Sequence, residues 1–287
     1  MRILSLAVLA LLPLVLSCRK APINPVHCNI SNTTNNYFEI QSNEDPPDRA
    51  FNIFCKKVDV FGIILYGTPT VSDEKILHAA NVMAQYLDND EDGMADDPLI
   101  VNALVSRNSF MTMAKNEREL KKFYNSGPPA DMKGQDLFAE ETIPASSSED
   151  RFDATLEEVL HLITSVGYAN VYPSIWGEQS GSAVSNAMDK ARGGYFTSIP
   201  SSYPAAAWYH YDDATCEYNC MVTEYVYWAV TSLMGAQNFG ERCQEIAHEW
   251  ELCTPEEVKN GDPSIYSLIT DSIHGMPLVL PDGTYRK

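Results

Sequence analysis

Basic residues are scarce: 20 Lys and Arg stand against 39 Asp and Glu in 287 residues, a formal net charge of −19. A chain this acidic is repelled by phosphate backbones and anionic membrane surfaces. Nucleic acid is therefore excluded as a partner, and divalent cations or cationic proteins are the natural counterparts. There is no glycine-rich phosphate loop, no dinucleotide fingerprint and no G-x-S-x-G, so nothing supports a nucleotide enzyme. Internal repeats and long Asp runs are missing too. No apolar run beyond residue 16 has the makings of a membrane span. The stretch from Cys220 to Gly240 holds Glu224 as its only formal charge, but Thr223, Thr231, Ser232, Gln237 and Asn238 make it a buried helix instead.

What is present begins with an address. Residues 1–18 carry Arg2, an apolar run from Ile3 to Leu16, and the small residues Ser17 and Cys18, the pattern of a signal peptide. Val15-Leu16-Ser17-Cys18 also fits a lipobox, in which Cys18 would carry a lipid anchor; both readings export the chain. Six further cysteines, Cys28, Cys55, Cys216, Cys220, Cys243 and Cys253, are an even set suited to disulfides in an oxidising compartment. Sequons at Asn29 and Asn32 lie in a polar stretch and favour a secreted glycoprotein.

Residues 19–50 read as an irregular arm and 51–287 as one helix-rich α+β domain with a few strands. Val58–Tyr66 is expected to be one buried strand, and Ser72–Leu87 a helix with apolar Ile76, Ala79, Ala80, Met83 and Leu87 on one face. Helices are also expected over 98–106, 115–123, 155–166, 222–234 and 242–251. The Gly-, Pro- and Tyr-rich segment 167–212 reads as an irregular wall, and the C-terminal tail as an edge strand or turn.

Between the first two helices stands Asp88-Asn89-Asp90-Glu91-Asp92-Gly93-Met94-Ala95-Asp96-Asp97. Carboxylates at alternate positions converge when the chain turns tightly, and Gly93 sits where that turn excludes a β-carbon. The ten residues resemble the first half of an EF-hand, and the D-x-D-x-D-G-x-x-D core of dockerins and thrombospondin-type repeats. That resemblance implies Ca²⁺ held by Asp88, Asp90, Asp92, the Met94 carbonyl and Asp96. Leu99 stands where an EF-hand places its bidentate Glu. A solvated acidic turn is the plain alternative.

The second cluster of chemistry is Glu157-Glu158-Val159-Leu160-His161. On a helix, residues three and four apart meet, so either acid can share an ion with His161. The run resembles the H-E-x-x-H helix of zincin metallopeptidases, with Glu157 in place of the first His. Thr223-Glu224-Tyr225 similarly resembles the helix that supplies gluzincins with a third ligand. The resemblance implies a zincin-like domain, metal ligands Glu157, His161 and Glu224, a catalytic base at Glu158, and Zn²⁺ as cofactor. A lone carboxylate in an apolar helix, as Glu224 is, needs a cation or a proton on independent grounds. Against this, Thr155-x-x-Glu158 is a capping box, and both acids favour a helix start.

Glu245-Ile246-Ala247-His248 is a second E-x-x-H, which opens a di-iron scheme pairing it with Glu158 and His161. The leading expectation is a secreted, acidic, Ca²⁺-binding glycoprotein acting as a binding or extracellular matrix component, including calcified matrix. A zinc metalloendopeptidase is the alternative, and a di-iron carboxylate protein the third reading.

Overall fold

The computed structural model describes residues 26, 28, 30 and 37–287. The signal segment, Cys18 and the sequon residues Asn29 and Asn32 lie outside the described residues. The fold is α+β. A five-stranded mixed sheet runs in the order β1 (Gln41–Ser42), β2 (Lys56–Val60), β3 (Ile63–Gly67), β4 (Ser109–Ala114) and β5 (Lys133–Phe138). β1 to β3 pair antiparallel, and β3 to β5 pair parallel.

The single strand expected over 58–66 is a hairpin. Phe61 and Gly62 take φ of 53° and 88°, the two left-handed residues of a tight two-residue turn, and Asp59 Oδ1 accepts from the Gly62 N–H at 2.8 Å. The parallel strands are joined through helices: α1 (Asp73–Leu87) and α2 (Pro98–Ser106) between β3 and β4, and α3 (Glu117–Ser126) between β4 and β5. The side chains of Ser72, Asp97 and Asn116 cap these three helices.

Side-chain alternation along the strands builds two cores. Val58, Val60, Ile63, Leu65, Met111 and Met113 join the main core with α1 and α4 (Thr155–Leu162). The opposite sheet face carries Tyr66, Phe110 and Ala114, which pack with Phe51, Phe54 and Phe123 from the 3₁₀ turn Arg49–Ile53 and α3. The expected arm is therefore partly structured: it supplies β1 and buried Ile40.

After α4 the helix widens into a π-helical turn, Ile163–Tyr168, and passes to α5 (Ala169–Val171). The segment expected to be irregular also contains α6 (Pro173–Trp176) and α7 (Ala183–Ala191). α8 (Tyr218–Leu233) begins one turn earlier than its apolar pattern indicates. It is followed by α9 (Arg242–Ile246), α10 (Pro255–Gly261) and α11 (Pro263–Ile269). Among the described residues no helix is long and apolar enough to cross a membrane. The six cysteines pair as Cys28–Cys55, Cys216–Cys220 and Cys243–Cys253, which agrees with an oxidising environment.

The tail forms no strand. It lies over the loop after α1: Asn89 Nδ2 donates to the Val279 carbonyl at 2.8 Å, its Oδ1 accepts from the Leu278 and Val279 N–H groups, and Tyr285 OH donates to Asp88.

Candidate metal centre

α4 enters its first turn without a capping box. Ala154 is the N-cap residue and makes no side-chain cap bond; Asp153 Oδ1 instead accepts from the N–H groups of Ile143 and Thr155 at 2.9 and 3.2 Å. Glu157 and Glu158 are thus free of the capping role that Thr155-x-x-Glu158 suggests, and both turn towards His161.

α4 packs on α8, and the Cys216–Cys220 bridge staples the start of that helix one turn ahead of Glu224. The crossing brings Glu224 Oε2 to 3.5 Å from His161 Nε2, while Glu158 Oε2 lies 3.6 Å from His161 Nδ1. Glu157, Glu158 and His161 each offer an atom within 4.8 Å of the others. His161 is 7 % exposed, and its Nε2 has no hydrogen-bond partner. Two donors on one ion, each about 2.1 Å from it, stand roughly 3.4 Å apart. The spacing between His161 Nε2 and Glu224 therefore suits a shared cation better than a hydrogen bond.

The electrostatics point the same way. Burial lifts Glu157 to about 8, with His161 lowering it, Glu224 and Glu158 raising it, and a hydrogen bond from Tyr227 lowering it. Burial opposes a charge on His161, but Glu224, Glu158 and Glu157 outweigh it, so its pKa stands well above the usual imidazole value. Without a metal the cluster thus holds protons at neutral pH to offset its own charge. A divalent cation could take their place.

Several contributors are invisible to motif reading. Gln135 on β5 donates to Glu158 Oε2 at 2.5 Å. Glu178 accepts from Thr223 Oγ1 at 2.6 Å and is raised by burial, with His161 acting against the shift. Tyr227 meets the His161 ring edge-on at 5.5 Å between centroids. Tyr211 is raised by burial and then by Glu224. Only the density of tyrosines hints at this wall; Gln135 and Glu178 leave no sequence signal.

The acidic loop converges in part. Asp88, Asp90 and Asp96 present atoms within 4.8 Å of one another, whereas Asp92 turns Oδ1 to the Met94 N–H at 2.8 Å. Gly93 takes φ of 92°, the left-handed turn that a glycine at this position implies. Asp88 is fully buried and accepts from Asp92 N, Gly93 N and Tyr285 OH. Asp96 is raised by burial and by Asp90, Asp88 and Asp92, with the Asn89 N–H acting in the opposite sense. Like charges forced together in this way favour a cation.

The di-iron pairing does not form. His248 is 65 % exposed and faces Glu249 at 3.6 Å, in a group with Asp212, and Glu245 pairs with Arg242. His78 is buried and contacts Asp153 Oδ2 through Nε2 at 2.6 Å. Neither a family model nor a curated protein nor a solved structure matches the chain. The chemistry of the centre has to be read from its own donors.

Proposed function

We propose that the chain is an exported metal-dependent hydrolase of peptide bonds, with a divalent transition metal held by Glu157, His161 and Glu224. The observation that carries this reading is the buried Nε2 of His161, which stands 3.5 Å from Glu224 Oε2 with no closer polar partner, on a ring grouped with Glu157 and Glu158. One nitrogen and several carboxylate oxygens form a harder donor set than the usual zinc site, compatible with Zn²⁺ and with Mn²⁺. The metal, when bound, supplies Lewis acidity to the carbonyl under attack. The chain supplies the rest. The Glu158 side chain, 23 % exposed against 14 % for Glu224, is the more accessible acid; it takes a proton from the attacking water and returns it to the leaving amine. Gln135, which donates to Glu158 Oε2, holds it in place. Tyr227, edge-on to the His161 ring and itself buried, covers one side of the centre.

A second reading, an acidic Ca²⁺-binding glycoprotein that serves as a binding or extracellular matrix component, is favoured by the convergence of Asp88, Asp90 and Asp96. In both readings the loop takes Ca²⁺ and steadies the tail over α1.

The test is metal content of the exported chain, purified without chelator, beside Glu157→Gln, His161→Ala and Glu224→Gln, followed by cleavage of an unstructured peptide library. About one equivalent of transition metal in the wild type, lost in the variants, is expected. Glu158→Gln should keep the metal and lose cleavage. A wild type that takes up no added Zn²⁺ or Mn²⁺, or that cleaves no peptide, overturns the hydrolase, and cleavage that survives Glu158→Gln overturns the role of Glu158 as base.

A further inference from the structure

Away from the metal centre, a cleft of about 330 Å³ lies between the loop after α1 and the 271–278 segment after α11. That volume is in the range of small-ligand pockets. Its walls divide by chemistry. Ile100, Met276 and Leu278 make an apolar side, and Tyr86 and Tyr168 contribute rings whose hydroxyls are tied to the carbonyls of Leu156 and Gly275. The polar side is acidic: Asp96, Asp97 and Asp271, with no Lys, Arg or His among the lining residues.

These carboxylates have acceptor capacity left over. Asp271 Oδ1 takes the N–H groups of Ile273 and His274, at 2.9 and 2.7 Å, and has the His274 ring 3.4 Å away. Its Oδ2 has no donor among the described residues, and neither has Asp96 Oδ1. Asp97 is occupied, by Leu99 N and by Tyr172 OH at 2.6 Å. Asn89 Oδ1 is taken by backbone N–H groups. The cleft is thus rich in acceptors and poor in free donors, and its exposed carboxylates Asp96 and Asp271 are complementary to an occupant that brings hydrogens and positive charge. A bare metal ion would satisfy the acids and leave the apolar wall uncovered. The mouth carries more apolar surface, Ile273 at 74 % and Leu278 at 49 % exposed, of the kind found at binding sites.

We infer that this cleft, when the acidic loop is free of Ca²⁺, binds a primary alkylammonium group, its charge on Asp96 and Asp271 and its methylenes along Ile100, Met276 and Leu278. The same group can arrive as a free amine or as the lysine side chain of a partner peptide.

The experiment titrates the full chain, with calcium chelated by EGTA, against n-hexylammonium, 1-hexanol and a short peptide with one central lysine, by calorimetry. Saturable hexylammonium binding is expected, with hexanol at least about tenfold weaker, the factor that corresponds to about 1.4 kcal/mol. Asp271→Asn keeps the Oδ1 acceptor for the turn and removes the charge; it should weaken hexylammonium by a similar factor. Ser272→Trp, at an exposed position of the lining, should block the cleft and carries the test if Asp271→Asn does not fold. Glu117→Gln, on the exposed side of α3 and far from the cleft, should leave the affinity unchanged. A lysyl peptide that binds tighter than hexylammonium assigns the group to a protein partner, and a weaker one to a free amine. Equal affinity for hexanol and hexylammonium, or affinity unaffected by both Asp271→Asn and Ser272→Trp, overturns the proposal.

Discussion

Asp153 shows how much one side chain can carry without standing in a motif. Its Oδ1 satisfies two backbone N–H groups at the start of α4, and its Oδ2 meets the buried His78. Removing the carboxylate strands all three partners, each worth about 1 kcal/mol or more when left unpaired in the interior. Asp153→Ala should therefore cost roughly 2 to 4 kcal/mol of stability, measured as a shift in the urea midpoint; an unchanged midpoint would show that the start of α4 is held by something else. Legibility at this scale follows chemistry. His161, Glu157, Glu158 and Glu224 announce themselves because ionisable groups in apolar helices need partners. Asp153 sits in plain view in front of the helix, but its partners Ile143 and His78 are 10 and 75 residues away, and no spacing rule reaches them.

Elements are readable where a local signal suffices. α2 occupies Pro98–Ser106 as its proline start and apolar spacing indicate, and α1 starts after the Ser72 cap. β4, by contrast, is buried at all six positions, so both its faces pack and no polar alternation marks it. The hairpin is hidden because Phe61 continues the apolar run while its backbone turns. Gly62 is the residue that permits this turn: its φ is 88°, and a β-carbon at that position would lie only 3.0 Å from Val105 Cγ2. Gly62→Ala is expected to lose about 1 to 2 kcal/mol, read by thermal or urea unfolding. Full stability in that variant would mean the turn can relax to an ordinary conformation.

For the molecule as a whole, the clearest consequence of the buried acids is the dependence of the metal-free fold on pH. Glu157 keeps its proton up to about 8 in the folded chain, while the unfolded chain releases it in the usual carboxylate range. Stability from this group is complete below that range and is lost as pH rises towards 8. His161, also raised, acts with the same sign, its window opening at the ordinary imidazole value. With a chelator present, calorimetry should find the melting temperature higher near pH 5 than near pH 8, and Glu157→Gln should flatten part of that fall. Added transition metal should oppose it, because binding to the centre displaces both protons. A metal-free protein that grows more stable between pH 5 and 8 would contradict the assignment. Residue spacing alone does not reveal this coupling: only the motif resemblance links Glu224 to the α4 acids, and it is the crossing of α8 over α4 that brings Glu224 to His161.

α1 and α4 are riveted at two points, His78 to Asp153 and Tyr86 OH to the Leu156 carbonyl at 2.9 Å. Helices joined in this way, one ending at the acidic loop and the other carrying the metal centre, cannot open separately without breaking buried bonds. Their slowest amides should exchange with deuterium as one cooperative unit, and Ca²⁺ at the loop should slow exchange in α4 as much as in α1. An ion bound at one end of the pair would then be felt as rigidity at the other, with no movement of either helix.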